Sequence, residues 1–237
     1  DFDGEDFIPI NNNQWRQVQN HAVYAAMVEA MDEAVGRVLN ALDSLNISDN
    51  TVVFFMSDNG GLSTSEGHPT TNLPLKAGKG WLYEGGIREP MIIRWPGVSE
   101  PNNLCNYPVT STDFYPTLLE MADIPLRPDQ HIDGISMVPL LNGKETLSRD
   151  AIYWHYPHYG NQGGSPGSAI RSGNYKLIEY FENGHLELYD LSKDIGESEN
   201  LIKTRPEIAD SLYEQLKQWR LEVEARYPSD NPAFQPE

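Results

Sequence analysis

A pair of potential metal ligands follows an apolar segment in the first third of the chain. Residues 52–56 (V-V-F-F-M) are rich in β-branched and aromatic side chains and too few for a helix, so we predict a buried strand. Asp58 and Asn59 come directly after it, followed by Gly60 and Gly61. A carboxylate beside an amide oxygen suits a hard cation, and ligands of open α/β sheets lie beyond the carboxyl ends of strands. Asx-Gly pairs are also common turn formers, so a plain turn is the alternative.

A second group of chemically capable residues surrounds the G-K-G motif at residues 78–80. The glycines on both sides of Lys79 let the backbone approach a bound oxyanion without steric cost. The lysine ammonium is a compact point charge with three donors, which suits oxyanion binding. A further strand is predicted over residues 90–95. The same stretch holds other cations, for which scattered surface charge is the alternative: Lys76, Arg88 and Arg94.

Three motifs of this stretch together resemble a known enzyme family. They read S-D-N-G-G, then G-K-G-W-L-Y-E-G-G-I-R-E-P, then I-I-R-W-P-G. In order, spacing and intervening residues they resemble the sulfatases of the alkaline-phosphatase-like superfamily. The resemblance continues, more weakly, through most of the chain and includes T-S-T-D-F-Y-P-T-L-L-E-M-A-D-I-P at residues 110–125. It implies a Ca²⁺-dependent sulfuric ester hydrolase.

The resemblance also implies roles for individual residues. In the family, Ca²⁺ is held by an N-terminal Asp pair, by the formylglycine nucleophile and by an Asp-Asn pair at a strand end. That last pair corresponds to Asp58 and Asn59. The lysine of the G-K-G motif contacts the sulfate, which assigns a catalytic and substrate-binding role to Lys79. His68 lies in the loop between the two motifs and is a candidate for contact with the leaving group or substrate.

Other parts of the family's active site have no counterpart here. Formylglycine is made from the Cys or Ser of a C-x-P-x-R motif, and Cys105, the one cysteine, is followed by N-Y-P-V. We therefore interpret Cys105 as a structural thiol. We expect the chain to be the C-terminal half of a sulfatase, with formylglycine and the remaining ligands supplied by the N-terminal half of the same protein. The family further implies a secreted, periplasmic or lysosomal protein.

The predicted elements alternate between helix and strand in the first part of the chain. Residues 1–14 are predicted as loop and residues 15–45 as a long helix, followed by the strands above, as in a doubly wound α/β sheet. We assign residues 1–145 to the C-terminal portion of the large α/β domain. The helix has an apolar face that we expect in the core: Tyr24, Met27, Met31, Ala34, Val38 and Leu42.

The second part of the chain has the pattern of a small α+β domain, assigned to residues 146–237. Strands are predicted over residues 152–156, 168–171, 175–181 and 185–191, forming a four-stranded antiparallel sheet. A C-terminal helix follows, introduced by Pro206 and by a T-x-x-E capping box of Thr204 and Glu207. Sheet and helix match the small domain of sulfatases.

The stretch from the end of the first of these strands through the glycine-rich loop after it holds His155 and His158. Its histidines, tyrosines and asparagine suit sugar hydroxyls and sulfate, and in sulfatases this part of the small domain reaches the pocket. We therefore predict that both histidines bind substrate. An ordinary aromatic surface loop is the alternative.

Charge restricts the range of partners. The chain has 17 Lys+Arg against 35 Asp+Glu, a formal net charge of −18. Such a field repels nucleic acid and anionic membranes, so we expect neither as a partner. It also repels a sulfated small molecule or glycan at long range, so recognition must come from local cations. We predict hydrolysis of a carbohydrate sulfate monoester; the alternatives are a phosphoester or phosphonate hydrolase of the same superfamily, or a non-catalytic sulfated-glycan-binding remnant.

Overall fold

The computed structural model describes residues 5–229 and 231–232. Its contacts divide the chain into two compact units. Unit 1 joins the N-terminal segment through Met27 to Ser57–Pro90 and to the chain from Tyr153 on, and unit 2 joins Val28–Met56 to Met91–Ile152. The elements are, in order, β1 (Phe7–Ile10), β2 (Asn13–Arg16), α1 (Ala22–Ser44), β3 (Val53–Met56), α2 (Glu84–Ile87), β4 (Met91–Arg94), α3 (Phe114–Met121), α4 (Val138–Leu141), β5 (Ile152–Tyr156), β6 (Gly167–Ser172), β7 (Tyr175–Tyr180), β8 (His185–Asp190) and α5 (Pro206–Glu222).

Unit 1 is built on a four-stranded sheet in the order β5-β6-β7-β8. Strands β6, β7 and β8 pair antiparallel, with Ile170 opposite Leu177 and Leu177 opposite Leu188. These three side chains are fully buried. Helix α5 packs on β6 and β7, burying Leu212 and Leu216. The predicted antiparallel sheet and C-terminal helix are therefore confirmed.

The core of unit 1 also contains the segment after the G-K-G motif. Trp81, Leu82 and Tyr83 are buried in one cluster with residues of the sheet. The rings of Trp81 and Tyr83 stack with centroids 6.0 Å apart, and Tyr83 meets Tyr189 of β8 edge-on. The sheet therefore holds the motif segment by apolar and aromatic packing. The members of the cluster are Ile10, Ala77, Trp81, Leu82, Tyr83, Ala169, Ile178, Tyr189 and Leu191.

An N-terminal hairpin replaces the predicted loop. Strands β1 and β2 pair antiparallel, with Ile8 opposite Trp15, so the loop prediction is wrong for residues 7–10 and 13–14, while residues 11–12 form the turn between the strands. Residues 1–4 lie outside the described part. The predicted helix start at residue 15 is also wrong, because Trp15 belongs to this ladder. Helix α1 begins at Ala22, where Nδ1 of His21 accepts the Tyr24 N–H at 3.1 Å. That bond satisfies one of the free N–H groups of the first turn.

The apolar face of α1 is present but not covered. None of the residues of α1 is buried by the described part of the chain. Met27, Met31 and Val38 are 62%, 48% and 60% exposed. The expectation that this face lies in a core is therefore wrong for the described residues. The periodicity correctly predicted a helix, but periodicity does not say which segment buries the face.

Unit 2 contains β3 and β4, which form a two-stranded antiparallel sheet with Phe54 opposite Ile93. Ahead of α3, Thr110 and Asp113 form a capping box, in which Asp113 Oδ2 accepts the Thr110 N–H at 2.8 Å. Asp113 is fully buried and pairs with the guanidinium of Arg149. The T-S-T-D segment of the sequence thus provides a cap with a buried counter-ion.

The capping box predicted for the last helix is wrong. Helix α5 begins at Pro206 with Arg205 as its N-cap, and no side chain caps it. The Thr204 hydroxyl instead donates to the Leu201 carbonyl at 3.2 Å. Proline in the first turn agrees with the prediction. The domain boundary at residues 145/146 remains a prediction about the whole protein.

Candidate functional site

The D-N-G-G turn begins directly after β3. The Ser57 hydroxyl donates to the Asn59 carbonyl at 2.8 Å, which closes the turn, and the Ser57 N–H donates to the Pro90 carbonyl at 3.3 Å. The side chain of Asp58 is exposed and that of Asn59 is half-buried. Both oxygen ligands predicted from the sequence are therefore reachable from outside this backbone turn.

Close backbone contacts join this turn to the G-K-G segment. The Lys79 N–H donates to the Gly61 carbonyl at 3.2 Å. A Cβ on Gly78 would lie 2.2 Å from the Gly61 oxygen, and a Cβ on Gly60 would lie 1.8 Å from the Gly85 oxygen. Only glycine fits at such distances, since a side chain would overlap the carbonyl. The structure thus brings the predicted cation ligands and Lys79 onto one backbone scaffold.

The side chain of Asn72, which the sequence did not single out, stabilises this arrangement of the turn and the G-K-G segment. Its Oδ1 accepts the Gly61 N–H at 3.1 Å, and its Nδ2 donates to the carbonyls of Gly61 and Ala77, both at 2.9 Å. The side chain therefore links the turn to the start of the G-K-G segment. The sequence offered only an asparagine in a polar loop, which does not distinguish a structural amide from a surface one.

Glu89 forms an acidic pair with Asp58. Burial, and secondly the Asp58 carboxylate, raise the pKa of Glu89 from 4.5 to about 7. One carboxylate oxygen, Oε1, is buried without a hydrogen-bond partner in the described part of the chain. The carboxylate of Asp58 beside the amide oxygen of Asn59 is a pair of donors that a hard cation such as Ca²⁺ accepts. The residues fit such a cation, although the described residues contain no cluster of three or more acidic, His or Cys side chains that would hold it alone.

A buried ion cluster of Glu84, Lys176 and Glu197 lies under α2. Lys176 Nζ is 2.8 Å from Glu197 Oε1 and 3.1 Å from Glu84 Oε1. Glu197 Oε2 also accepts the Glu84 N–H at 2.6 Å, while burial raises the pKa of Glu197. All three side chains are almost completely buried. The cluster holds the first turn of α2, whose Gly85 and Gly86 contact the D-N-G-G turn, against strand β7.

The basic residues predicted near the site have different surroundings. Lys76 Nζ lies 3.9 Å from the centre of the Tyr83 ring and donates to the Glu197 carbonyl at 3.1 Å, and burial lowers its pKa. Arg88 lies 3.6 Å from Glu84. The half-buried Lys79 has no side-chain hydrogen bond or ion pair to any described residue. Its ammonium is available to a ligand, and the exposed side chain of Arg94 likewise has no hydrogen bond or ion pair to a described residue.

His68 lies beside the N-terminal hairpin. Its backbone has φ +48°, its carbonyl accepts Arg16 Nη1 at 2.9 Å, and its ring meets Phe7 edge-on at 5.4 Å. The half-buried imidazole lines a cavity together with hairpin residues. Within the described residues, no hydrogen bond joins it to the turn ligands or to Lys79. Its contact with substrate remains a prediction.

The two predicted small-domain histidines differ in position and availability, since His155 lies in β5 and His158 in the loop after it. His155 has both ring nitrogens within hydrogen-bond distance of protein atoms, Nδ1 of Ser168 Oγ (2.6 Å) and Nε2 of the Arg226 carbonyl (2.8 Å). While these bonds hold, it has no nitrogen left for a substrate. His158 is exposed and meets the Tyr156 ring at 5.4 Å, so it remains free to contact a ligand. Cys105 is an exposed free thiol, which gives no support to a structural role.

Comparisons with known proteins agree with these motifs. The family model described as Sulfatase matches residues 3–124, and the model described as N-sulphoglucosamine sulphohydrolase, C-terminal, matches residues 77–222. A sulfatase of Formosa agariphila is 38% identical over 227 residues, covering 86% of this chain and 40% of the relative. The steryl-sulfatase of Homo sapiens is 40% identical over 141 residues, covering 57% of this chain and 24% of the relative. The chain thus spans less than half the length of these relatives.

Solved structures show the same fold. Ps i-CgsB in complex with k-i-k-neocarrahexaose aligns with TM-score 0.74 and 32% identity over 86% of this chain and 44% of that one. BT4656 in complex with its substrate D-glucosamine-2-N,6-O-disulfate aligns with TM-score 0.70 and 28% identity over 85% and 40%. The phosphonate monoester hydrolase of Agrobacterium radiobacter aligns with TM-score 0.64 and 26% identity over 85% and 41%. The predicted α/β fold class is confirmed.

Proposed function

Because this chain belongs to the sulfatase family, we propose that the full-length protein hydrolyses sulfate monoesters and that its substrate is a sulfated carbohydrate. The carbohydrate is suggested by BT4656, whose substrate is a disulfated glucosamine. The net charge of −18 also bears on substrate binding, since an acidic protein needs concentrated local cations to bind an anionic ester. Lys79 is such a cation.

The observation that supports this function best is the hydrogen bond between the Lys79 N–H and the Gly61 carbonyl. This bond holds the Lys79 backbone against the turn that carries Asp58 and Asn59. When bound there, Ca²⁺ would stabilise negative charge on the sulfate oxygens. The Lys79 ammonium would stabilise the charge that develops as the S–O bond breaks, and preorganised charge of this kind favours the transition state.

The remaining catalytic parts belong to the N-terminal half of the same protein in this proposal. That half supplies the formylglycine nucleophile and the other calcium ligands, and it covers the apolar face of α1. The exposed Met27, Met31 and Val38 support it, because an uncovered stripe of large apolar side chains marks a contact surface. The proposed location is secreted, periplasmic or lysosomal. No helix in the described residues is long and apolar enough to cross a membrane.

The test uses the full-length protein and sulfate release measured by ion chromatography. Lys79→Ala should lower kcat by about 10²-fold or more, the scale for losing one preorganised electrostatic group. Lys203→Ala is the matched control, because Lys203 is an exposed lysine of the same unit. A kcat for Lys79→Ala within a few-fold of the control would place Lys79 outside the sulfate site.

A phosphonate or phosphoester hydrolase is the second candidate, supported by the Agrobacterium radiobacter neighbour. Parallel assays with 4-nitrophenyl sulfate and phenyl phosphonate monoester separate the two functions. A higher kcat/KM for the phosphonate would replace the sulfatase proposal. Binding of sulfated glycans without turnover of either ester would instead indicate a non-catalytic remnant.

A further inference from the structure

A cavity of about 610 Å³ lies between the N-terminal hairpin and the loop that follows the D-N-G-G turn. This volume is within the range of small-ligand sites, about 300–1,000 Å³. The hairpin supplies one wall and residues 64–68 the other, both within unit 1. The lining is Glu5, Phe7, Ile8, Pro9, Asn11, Asn12, Asn13, Gln14, Thr64, Ser65 and His68.

Hydrogen bonds connect the loop wall of this cavity to the segment that carries Lys79. The Ser63 hydroxyl donates to the Ala77 carbonyl at 2.7 Å, and Trp81 Nε1 donates to Thr64 Oγ1 at 3.0 Å. The hairpin is joined to the same wall, since the Arg16 N–H donates to the Ser63 carbonyl at 2.9 Å. The cavity and the proposed sulfate site therefore share one hydrogen-bonded scaffold.

The lining suits an uncharged, hydroxyl-rich ligand. It contains one carboxylate, of Glu5, and one imidazole, of His68, but no lysine or arginine. Nearby Arg16 is committed to the carbonyls of Val18 and His68. A second sulfate would therefore find no free guanidinium or ammonium, while the asparagine and glutamine amides offer both donors and acceptors.

Two further features match a sugar ring. The hairpin segment from Phe7 to Pro9 gives the cavity an aromatic and aliphatic side, which suits the C–H face of a pyranose. Opposite it, Ser65 Oγ is buried without a hydrogen-bond partner in the described residues. A rotation of the Ser65 side chain toward the cavity would expose this hydroxyl to a ligand and supply the partner that it lacks.

We propose that this cavity is a subsite for a neutral saccharide unit adjacent to the unit that carries the scissile sulfate. The proposal rests on the function proposed above and specifies its substrate: an oligosaccharide in which at least one neighbouring unit is unsulfated. The hairpin wall then determines affinity for the glycan, while Lys79 acts on the ester.

The experiment compares an extended and a minimal substrate of the full-length enzyme. The extended probe is a κ-carrageenan tetrasaccharide, in which a neutral unit lies beside each sulfated one, and the minimal probe is 4-nitrophenyl sulfate. Asn12→Ala should raise the KM for the tetrasaccharide about 5- to 20-fold, since one good hydrogen bond contributes roughly tenfold in affinity. Its kcat, and both constants for 4-nitrophenyl sulfate, should change less than twofold. Asn12 is exposed and in a turn, so this variant should fold.

Two other variants complete the test. Ser65→Ala removes the unpartnered hydroxyl and should also raise the tetrasaccharide KM, whereas Asn103→Ala, exposed and outside the cavity, should not. An unsulfated tetrasaccharide should inhibit the wild type competitively and inhibit Asn12→Ala more weakly. Unchanged KM values for both cavity variants would overturn the subsite. Failure of the wild type to cleave any sulfate ester would instead overturn the proposed function.

Discussion

The variant Lys176→Met tests whether the buried ion cluster holds the site together. Lys176 is fully buried, and its ammonium is the shared partner of Glu84 and Glu197 at 3.1 and 2.8 Å. Methionine keeps most of the volume but leaves two buried carboxylates facing each other. Breaking a buried pair by removing one partner costs about 3–5 kcal/mol, because the remaining charge is uncompensated.

The expected loss is large enough to measure by thermal unfolding of the full-length protein at pH 7. A loss of 3–5 kcal/mol corresponds to a Tm decrease of roughly 6–20 °C for a cooperative unit of 150–250 residues. Arg171, 3.6 Å from Glu84 Oε2, partly compensates one carboxylate and favours the lower end. Lys217→Met is the control, because the Lys217–Glu214 pair is exposed and such pairs contribute about 0–1 kcal/mol.

A second substitution tests the cause of the effect. Adding Glu197→Gln to Lys176→Met removes one of the two uncompensated charges, so the double variant should be more stable than Lys176→Met alone. Calcium affinity should fall in Lys176→Met and recover in part in the double variant, since α2 supports the D-N-G-G turn. A Tm for Lys176→Met within about 2 °C of the Lys217→Met control would refute the assigned role of the cluster.

Three further predictions concern single side chains. Asp58→Asn should weaken Ca²⁺ binding by at least tenfold in calorimetry, because a neutral amide replaces a charged ligand; unchanged affinity would make Asp58 a turn former only. In a chelator, Glu89→Gln should gain stability relative to wild type as pH rises from 4.5 to about 7, because the raised pKa of Glu89 makes its ionisation unfavourable in the fold; parallel denaturation curves across that window would contradict this. His155→Ala should lower Tm and leave the KM for the glycan unchanged, because its nitrogens bond Ser168 and the backbone, whereas His158→Ala should raise KM at unchanged Tm; the reverse pattern would exchange their roles.

The sequence predicted best where the chain's local pattern and its surroundings agree. In the four-stranded sheet of unit 1, Gly173 separates β6 from β7 and Gly184 separates β7 from β8, both with positive φ, and the structure forms the expected ladder. The box of Thr110 and Asp113 formed because a helix starts there. The same spacing at Thr204 formed no box, because the helix begins at Pro206 with Arg205 as its N-cap, which leaves Thr204 one residue too early; its hydroxyl donates to the Leu201 carbonyl.

The site was predictable only where backbone constraints leave a trace in the sequence. Glycines are clustered in the two motifs, and at Gly60 and Gly78 the reason is visible, because a backbone carbonyl oxygen occupies the space that a Cβ would need. The pairing of Glu89 with Asp58, and of Lys176 with Glu84, depends on residues far apart in the chain. No local periodicity encodes such contacts. From the sequence alone an acidic or basic residue is therefore predicted to be a surface residue.

The long separations within the ion cluster bear on how the protein is made. Glu84 meets a lysine 92 residues later in the chain, and its backbone N–H meets a carboxylate 113 residues later. During synthesis the G-K-G segment leaves the ribosome well before Lys176 and Glu197 do. Until then its glycine-rich backbone lacks the contacts with β7 that support it. Contacts between residues so far apart form slowly, because the chain loses the entropy of closing the loop before the contact stabilises it. We therefore expect a nascent chain ending before residue 176 to leave Lys79 unfixed, so that catalytic competence arises only once the last strands have been synthesised.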